Sequence, residues 1–331
     1  MGVTIRDVAK LADVSVATVS RALRGHSSVS TLTKEKVEAA ATELAYALPY
    51  RSEHNIRTRA LRVAVIMPNI GRWYYGQVLS GVESVVADRE GDVMVFRPYD
   101  KQGRRRNLLD LIDNSIVDAV VVVSISLEES ELAGLRERGI GVSLLGTTRP
   151  DVSNARIDDS DATRQLTEHL IELGHTRIGM ISSAPINPIP KDVARDRRKG
   201  FEQAMTRGGL ELDPALEVET DYSIRGAQRV VERLLSLDHP PTAIVAETDE
   251  LAFGVMAAAR SQGIRIPEDL SVTGVDDHEI SELMGLTTIA QPVTSLAEVA
   301  TWQAIARNES ATSVVMPTSL IVRSSTMSLH E

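Results

Sequence analysis

Residues 3–23 read Val3-Thr4-Ile5-Arg6-Asp7-Val8-Ala9-Lys10-Leu11-Ala12-Asp13-Val14-Ser15-Val16-Ala17-Thr18-Val19-Ser20-Arg21-Ala22-Leu23. Ile5, Val8, Ala9 and Ala12 recur at i, i+3, i+4 and i+7 behind Thr4, a residue that suits an N-cap, so the first half predicts a short amphipathic helix. Ser15 precedes a second stripe, Val16, Val19, Ala22 and Leu23, which Gly25 stops. The break between the two helices, Ala12-Asp13-Val14, is only a few residues long. Two short helices joined by so tight a turn form a helix-turn-helix. Val37, Ala40, Ala41 and Leu44 make a third helical stripe.

Charge sets this segment apart. The 331-residue chain carries 36 Lys/Arg against 46 Asp/Glu, a net of −10, yet residues 1–62 hold ten basic and six acidic side chains. A small basic module on an acidic body is expected. Residues 47–60 hold Pro49, several charges and few large apolar side chains, which reads as a linker. From Leu61 onward, apolar runs at 61–67, 93–96, 119–123, 141–145, 177–181, 243–245 and 270–275 alternate with helical patterns. These helices fall near 76–89, 104–114, 162–173, 194–207, 225–237 and 249–262. That rhythm predicts an α/β fold with doubly wound parallel sheets. Some 270 residues exceed one such sheet, so two lobes are expected.

Several classes drop out. The chain has no cysteine, so disulfide scaffolds, thiolate metal sites and cysteine nucleophiles are excluded. The longest apolar runs fall well short of the ~18 residues of a membrane span. Met1 is followed by no apolar signal segment, which predicts a cytoplasmic protein without membrane partners. Seven histidines lie scattered without HExxH spacing, and no glycine-rich phosphate loop occurs. No metal, no cofactor and no catalytic constellation is expected; the reading points to binding and not to an enzyme.

Residues 3–23 resemble, without a gap, the helix-turn-helix of the LacI (lactose-repressor) family of bacterial transcriptional regulators, and the likeness continues through 33–46. In the body it is carried by Val65-Ile66-Met67-Pro68, Leu173-Gly174-His175, Gly200-Phe201, Pro267-Glu268-Asp269-Leu270, Gly274-Val275-Asp276-Asp277 and Gln291-Pro292. The resemblance implies an all-α headpiece at 1–46, a hinge at 47–60 and a two-lobed periplasmic-binding-protein-like core at 61–331. Lobe 1 would take about 61–158 and 290–317, and lobe 2 about 159–289 and 318–331. It further implies a repressor that binds a pseudo-palindromic operator duplex as a homodimer and answers to a small effector between the lobes. A solute-binding module without DNA control would share the core but lack residues 1–45. The end after Arg323 is short and has no leucine heptads, so no tetramerising tail is expected.

A recognition helix sets its N-terminal residues at base edges in the major groove. Val16, Ala17, Ser20 and Arg21 share an outward face. Arg21 can offer its fork to guanine O6/N7, though a solvated surface position also suits it, and Val16 and Ala17 suit thymine methyls. Ser15, Thr18 and Ser20 are short hydroxyls within reach of phosphates. The family uses the matching positions in these ways. Thr4 and Arg24 are further DNA candidates; Arg24 stands where the family commonly has asparagine, and a phosphate contact or simple solvation both suit it. Ser15 equally suits a plain N-cap. In the hinge, the family inserts a leucine into the minor groove, where the matching positions here read Ser52-Glu53-His54-Asn55. Asn55 is a poor wedge, so either the DNA is bent little or Ile56 is the wedge.

The family's cleft positions map onto Asn69, the aromatic run Trp73-Tyr74-Tyr75, Arg197, Tyr222, Asp249 and Asp276. Planar charged groups that hold paired hydroxyls, beside an aromatic wall, suit a sugar or related polyol. Tyr75 also suits a core position, and Asp249, following a strand, also suits an N-cap. Thr148 and Thr248 replace an aspartate and an asparagine common in the family. Pro185, Pro188 and Pro190 stiffen a loop expected at the cleft mouth.

Overall fold

The computed structural model describes residues 5–15, 18–19, 22, 29–43, 60–99, 106–112, 117–183, 191–221, 223–307 and 310–329. Two compact units divide at Leu61–Arg62.

In the N-terminal unit, helices span Ile5–Leu11 and Thr31–Glu43, and Thr18, Val19 and Ala22 are helical between them. The tight turn closes where Asp13 takes φ 51, a left-handed conformation that a short polar side chain tolerates. Val14 N then donates to Ala9 O at 3.0 Å. The apolar stripes meet: Val8, Ala9, Ala12, Val19, Ala22, Val37 and Ala40 form one small core, with Val14 and Val29 against it. Ser15 Oγ accepts from Thr18 N at 3.0 Å, and Ser30 Oγ repeats the device with Thr33 N at 3.2 Å. Each hydroxyl satisfies one of the helix-start donors that would otherwise lack a partner. Ser15→Ala is expected to cost ~1 kcal/mol of headpiece stability, read by amide exchange of the headpiece in the full chain. Leu44, at the end of the third stripe, lies outside the described residues.

The core unit holds two six-stranded sheets, ordered β11-β5-β4-β3-β1-β2 and β12-β10-β9-β8-β6-β7. The first comprises β1 Arg62–Ile66, β2 Asp92–Phe96, β3 Ala119–Val123, β4 Gly141–Leu145, β5 Ser153–Arg156 and β11 Ser313–Val315. The second comprises β6 Ile178–Ser183, β7 Glu217–Thr220, β8 Ala243–Ala246, β9 Ser271–Asp276, β10 Thr287–Ala290 and β12 Ser319–Ile321. All pairings are parallel except β10 with β12. Strand β3 is Ala-Val-Val-Val-Val and buried throughout, as expected of a parallel strand covered by helices on both faces. Lobe 1 packs Ala64, Ile66, Leu108, Val120, Val122 and Leu132 together. Lobe 2 packs Ile181, Val231, Ile244, Leu251, Val255 and Val272.

The chain crosses between the lobes three times: after β5, after β10 and between β11 and β12. After the second crossing, the helix Val293–Ala306 returns to lobe 1 and packs on the helix Trp73–Ala87. Gly81 permits that approach, since a Cβ there would stand 2.3 Å from Thr294 O. The crossings draw the carboxyl ends of both sets of strands to one cleft, the usual place for a ligand in open parallel sheets.

Candidate functional site

Strand β1 runs out at Ile66, and the chain turns through 67–72 into the helix Trp73–Ala87. That helix start brings Tyr74 and Tyr75 to a cavity of about 70 Å³ between the lobes. Lobe 1 contributes Arg72, Ser124, Gly146 and Arg156 beside them, lobe 2 contributes Asp159, Arg197, Thr248 and Asp276, and the second crossing contributes Gln291. A cavity this small lies below the roughly 300–1,000 Å³ of ligand pockets, so a sugar-sized effector requires the lobes to part.

Charge in the cleft is arranged in pairs. Arg197 is 5% exposed; its Nε donates to Asp159 Oδ1 at 2.8 Å, and its Nη1 donates to the Glu247 carbonyl. Burial pushes the Asp159 carboxyl up, against the pull of Arg197. Asp276 ends β9 with φ 135 and accepts from Gln291 Nε2 at 2.5 Å. Burial drives its carboxyl up to about 7; Arg197 opposes the rise and the charge of Asp249 adds to it. Tyr75 is pushed up to about 12, chiefly by burial, and burial likewise raises Tyr74. Across the lobes, Arg72 pairs with the Glu250 carboxylate, and the Trp73 ring lies 4.9 Å from that of His278. These two contacts hold the lobes together beside the cavity.

The raised Asp276 carboxyl has a pH consequence. In the unfolded chain an aspartate titrates near ~3.9, so between there and about 7 the folded state binds protons that the unfolded state does not. The stability contributed by protonated Asp276 is therefore full at low pH and is lost as pH rises through about 7. The urea midpoint of the core is expected to fall between pH 5 and pH 8, and Asp276→Asn to flatten that slope. An unchanged slope in the variant would contradict the assignment.

Of the residues the sequence nominates for the cleft, Tyr74, Tyr75, Arg197 and Asp276 come together around one cavity. Asn69 does not: it is exposed, and its Oδ1 accepts from Gly71 N at 2.7 Å within its own turn. Asp249 is off the cavity lining too. Its Oδ2 accepts from His278 N at 2.8 Å and Ser281 Oγ at 2.6 Å, and its Oδ1 from Thr288 Oγ1 at 2.6 Å. Those bonds make it a clamp between the ends of β8, β9 and β10. It is not the N-cap either; Thr248 is, with its hydroxyl accepting from Leu251 N at 3.3 Å. Thr148 is exposed away from the lining. Arg72, Arg156, Asp159, Ser124 and Gln291 line the cavity without having been nominated for the cleft from the sequence. Ser124, Arg156 and Gln291 each sit at or one residue beyond the carboxyl end of a strand, the positional rule that finds them, and Arg72 closes the turn that follows one. Among the headpiece candidates, Ser15 and Thr18 join their hydroxyls at 2.8 Å at the start of the second helix. Thr4, Val16, Ala17, Ser20, Arg21, Arg24, Asn55, Ile56, Tyr222 and the loop 184–190 lie outside the described residues.

A helix-turn-helix joined to a two-lobed core with a polar cleft defines an effector-controlled DNA-binding regulator. The pattern described as bacterial regulatory proteins, lacI family, matches residues 4–48, and that of a periplasmic binding protein-like domain matches residues 167–326. The chain is 30% identical over 304 residues to the catabolite control protein A of Priestia megaterium, covering 91% of each. It is 30% identical over 294 residues to the HTH-type transcriptional repressor CytR of Escherichia coli K12, covering 87% of this chain and 85% of that one. Among solved structures, a complex of the transcriptional regulator CelR with cellobiose superposes with a TM-score of 0.71 at 26% identity, over 98% of this chain and 99% of that one. The Lac repressor bound to ONPG in its repressed state gives 0.70 at 26% identity, over 98% and 100%. The chain belongs to the LacI family of bacterial transcriptional regulators. No helix among the described residues is long and apolar enough to cross a membrane.

Proposed function

We propose that this chain is a cytoplasmic repressor that binds a pseudo-palindromic operator as a homodimer and is switched by a sugar-like effector held between its lobes. The headpiece of this reading is residues 1–46, the hinge 47–60 and the effector-binding and dimerising core 61–331. The observation that carries it is the cleft, where charged side chains of both lobes, Arg72 and Arg156 from one and Asp159, Arg197 and Asp276 from the other, face one cavity next to two tyrosines. Arg197 and Asp276 hold effector hydroxyls by charged hydrogen bonds, which are about twice as strong as neutral ones, and Tyr74 and Tyr75 supply the apolar wall. In the headpiece, Arg21, Val16 and Ala17 read bases, while Thr4, Ser15, Thr18, Ser20 and Arg24 fix register on the phosphates. Dimerisation follows from the two-fold symmetry of such operators.

The test is a thermal-shift screen of sugars and polyols on the full chain, paired with operator binding by fluorescence anisotropy. A bound effector present at 100 times its Kd raises stability by about 2.7 kcal/mol. A sugar that stabilises the core and changes operator affinity supports the reading; a stabilising sugar that leaves operator affinity unchanged removes effector control.

The hinge yields a separate expectation. Inserting a side chain between stacked bases costs a few kcal/mol per step, which a polar amide does not recover. Asn55→Leu is therefore expected to increase both DNA bending and operator affinity, measured by circularly permuted operator fragments on gels. A wild-type bend that Asn55→Leu leaves unchanged, and that Ile56→Ala abolishes, would move the wedge to Ile56.

A further inference from the structure

Three arginines line the interlobe cavity, and they are not alike. Arg72 pairs with Glu250, and Arg197 with Asp159. Arg156, the last residue of β5, has no carboxylate partner among the described residues. Its Nη1 donates to the adjacent Ile157 carbonyl at 3.0 Å, while its Nε is buried with no hydrogen-bond partner. A guanidinium carries five N–H donors and stays charged at any ordinary pH. Leaving such a donor buried and unpaired is costly, and natural structures rarely do so without a reason.

Among the described residues, the other charges of the cavity do not offset it. Asp159 is spent on Arg197. Asp276 takes the Gln291 amide, and burial pushes its carboxyl up to about 7. A second orphan lies nearby: the Thr147 hydroxyl, just past the end of β4, is buried and unpartnered. Strands β4 and β5 are paired neighbours, and Gly146 N donates to Ala155 O at 3.0 Å, so Thr147 and Arg156 leave adjacent strand ends. Gly146 between them takes φ +75 and has no side chain; a Cβ there would meet Ser124 Oγ at 3.3 Å and the Tyr74 hydroxyl at 3.5 Å. The lobe 1 wall thus combines a cation that has no carboxylate partner among the described residues with a glycine that keeps the approach clear, and the Thr147 hydroxyl lies just behind that glycine in the chain.

We propose that the effector is an acidic sugar derivative, whose carboxylate or phosphate group binds the Arg156 guanidinium at the carboxyl end of β5. This deepens, and rests on, the reading of the cleft as a sugar-binding site. The guanidinium fork matches two oxygens of a carboxylate or a phosphate, and the hydroxyl-bearing body of the ligand lies towards Arg197 and Asp276. Both acidic groups present the same chemistry to Arg156; the experiment separates them.

The full chain is titrated calorimetrically with ribose, glucose and galactose, with their terminal phosphate esters, and with glucuronate and galacturonate. The same series is run on Arg156→Gln and Arg156→Lys. At least one acidic member is expected to bind about 10- to 100-fold more tightly than its neutral parent, the range of a hydrogen bond to a charged group. Arg156→Gln is expected to erase that preference, and Arg156→Lys to keep part of it, because the charge remains and the fork is lost. Uronates outcompeting phosphate esters, or the reverse, identifies the acidic group. Urea unfolding of both variants checks that the core is intact; no ion pair is broken, so the midpoints should match the wild type. A neutral sugar that binds as well as its acidic derivative, or an acidic preference that survives Arg156→Gln, overturns the inference while leaving a sugar effector in place. No binding by any member overturns both this inference and the sugar reading beneath it.

Discussion

Arg197→Ala is expected to lower the stability of the core by about 3–5 kcal/mol and to abolish the effector response. The two effects have one cause. Arg197 is almost fully buried, and its guanidinium is the partner of the buried Asp159 carboxylate and of the Glu247 carbonyl. Truncation leaves Asp159 buried and uncompensated, which is why breaking a buried pair costs far more than the pair itself contributes. The carboxyl, already pushed up by burial, then rises further once the opposing cation is gone. Urea unfolding of the full chain followed by circular dichroism measures the loss, and a loss under about 1 kcal/mol would show that the pair does not anchor lobe 2. Arg197→Lys separates structure from recognition. It keeps the charge near Asp159, so most of the stability should remain, but it cannot present a planar fork to paired hydroxyls. Retained stability with lost effector affinity is the expected outcome for that variant.

A chain beginning at Leu61 is expected to lose operator binding. Residues 63–331 hold 26 basic and 40 acidic side chains, so the body alone is repelled by phosphate. Affinity for duplex DNA arises largely from phosphate neutralisation and falls steeply with salt, so the basic headpiece has to supply it. Within the headpiece, Arg21→Ala is expected to cost on the order of 1–3 kcal/mol and to relax base preference at one position of each half-site. Fluorescence anisotropy with operator and scrambled duplexes at several salt concentrations reads both changes. Full operator affinity in the shortened chain would take the headpiece out of DNA binding; an Arg21→Ala variant weakened equally on both duplexes would make Arg21 a phosphate contact.

The sequence by itself determined the elements that carry their own periodicity. The stripes of Val8, Ala9, Ala12, Val19 and Ala22 meet in one headpiece core, and the valine run 119–123 is a buried parallel strand, because apolar spacing specifies which face is inward before any partner is known. The alternation of strands with helices likewise implied two wound lobes. Strands β5, β7, β10 and β12 escaped that reading. In β5, Ser153-Asn154-Ala155-Arg156 is polar, and it is tolerated inside the sheet because Ser153 Oγ accepts from Thr312 N at 3.1 Å and Gln303 Nε2 reaches Asn154 O at 3.2 Å. Partners some 150 residues away leave no local pattern. The same holds for the cleft. Arg197, Asp276 and the paired tyrosines were legible through family resemblance, but the division of labour among the charges was not. Asp249 and Asp276 look equivalent in sequence, each closing or following a strand of lobe 2. Tertiary contacts decide between them: three donors from 278, 281 and 288 engage the Asp249 carboxylate, while Asp276 faces the cavity with one amide partner. Arg156 became visible as a lining residue only when β11 and the helix Val293–Ala306 closed lobe 1 around β5. That no carboxylate among the described residues reaches it is decided by folding alone.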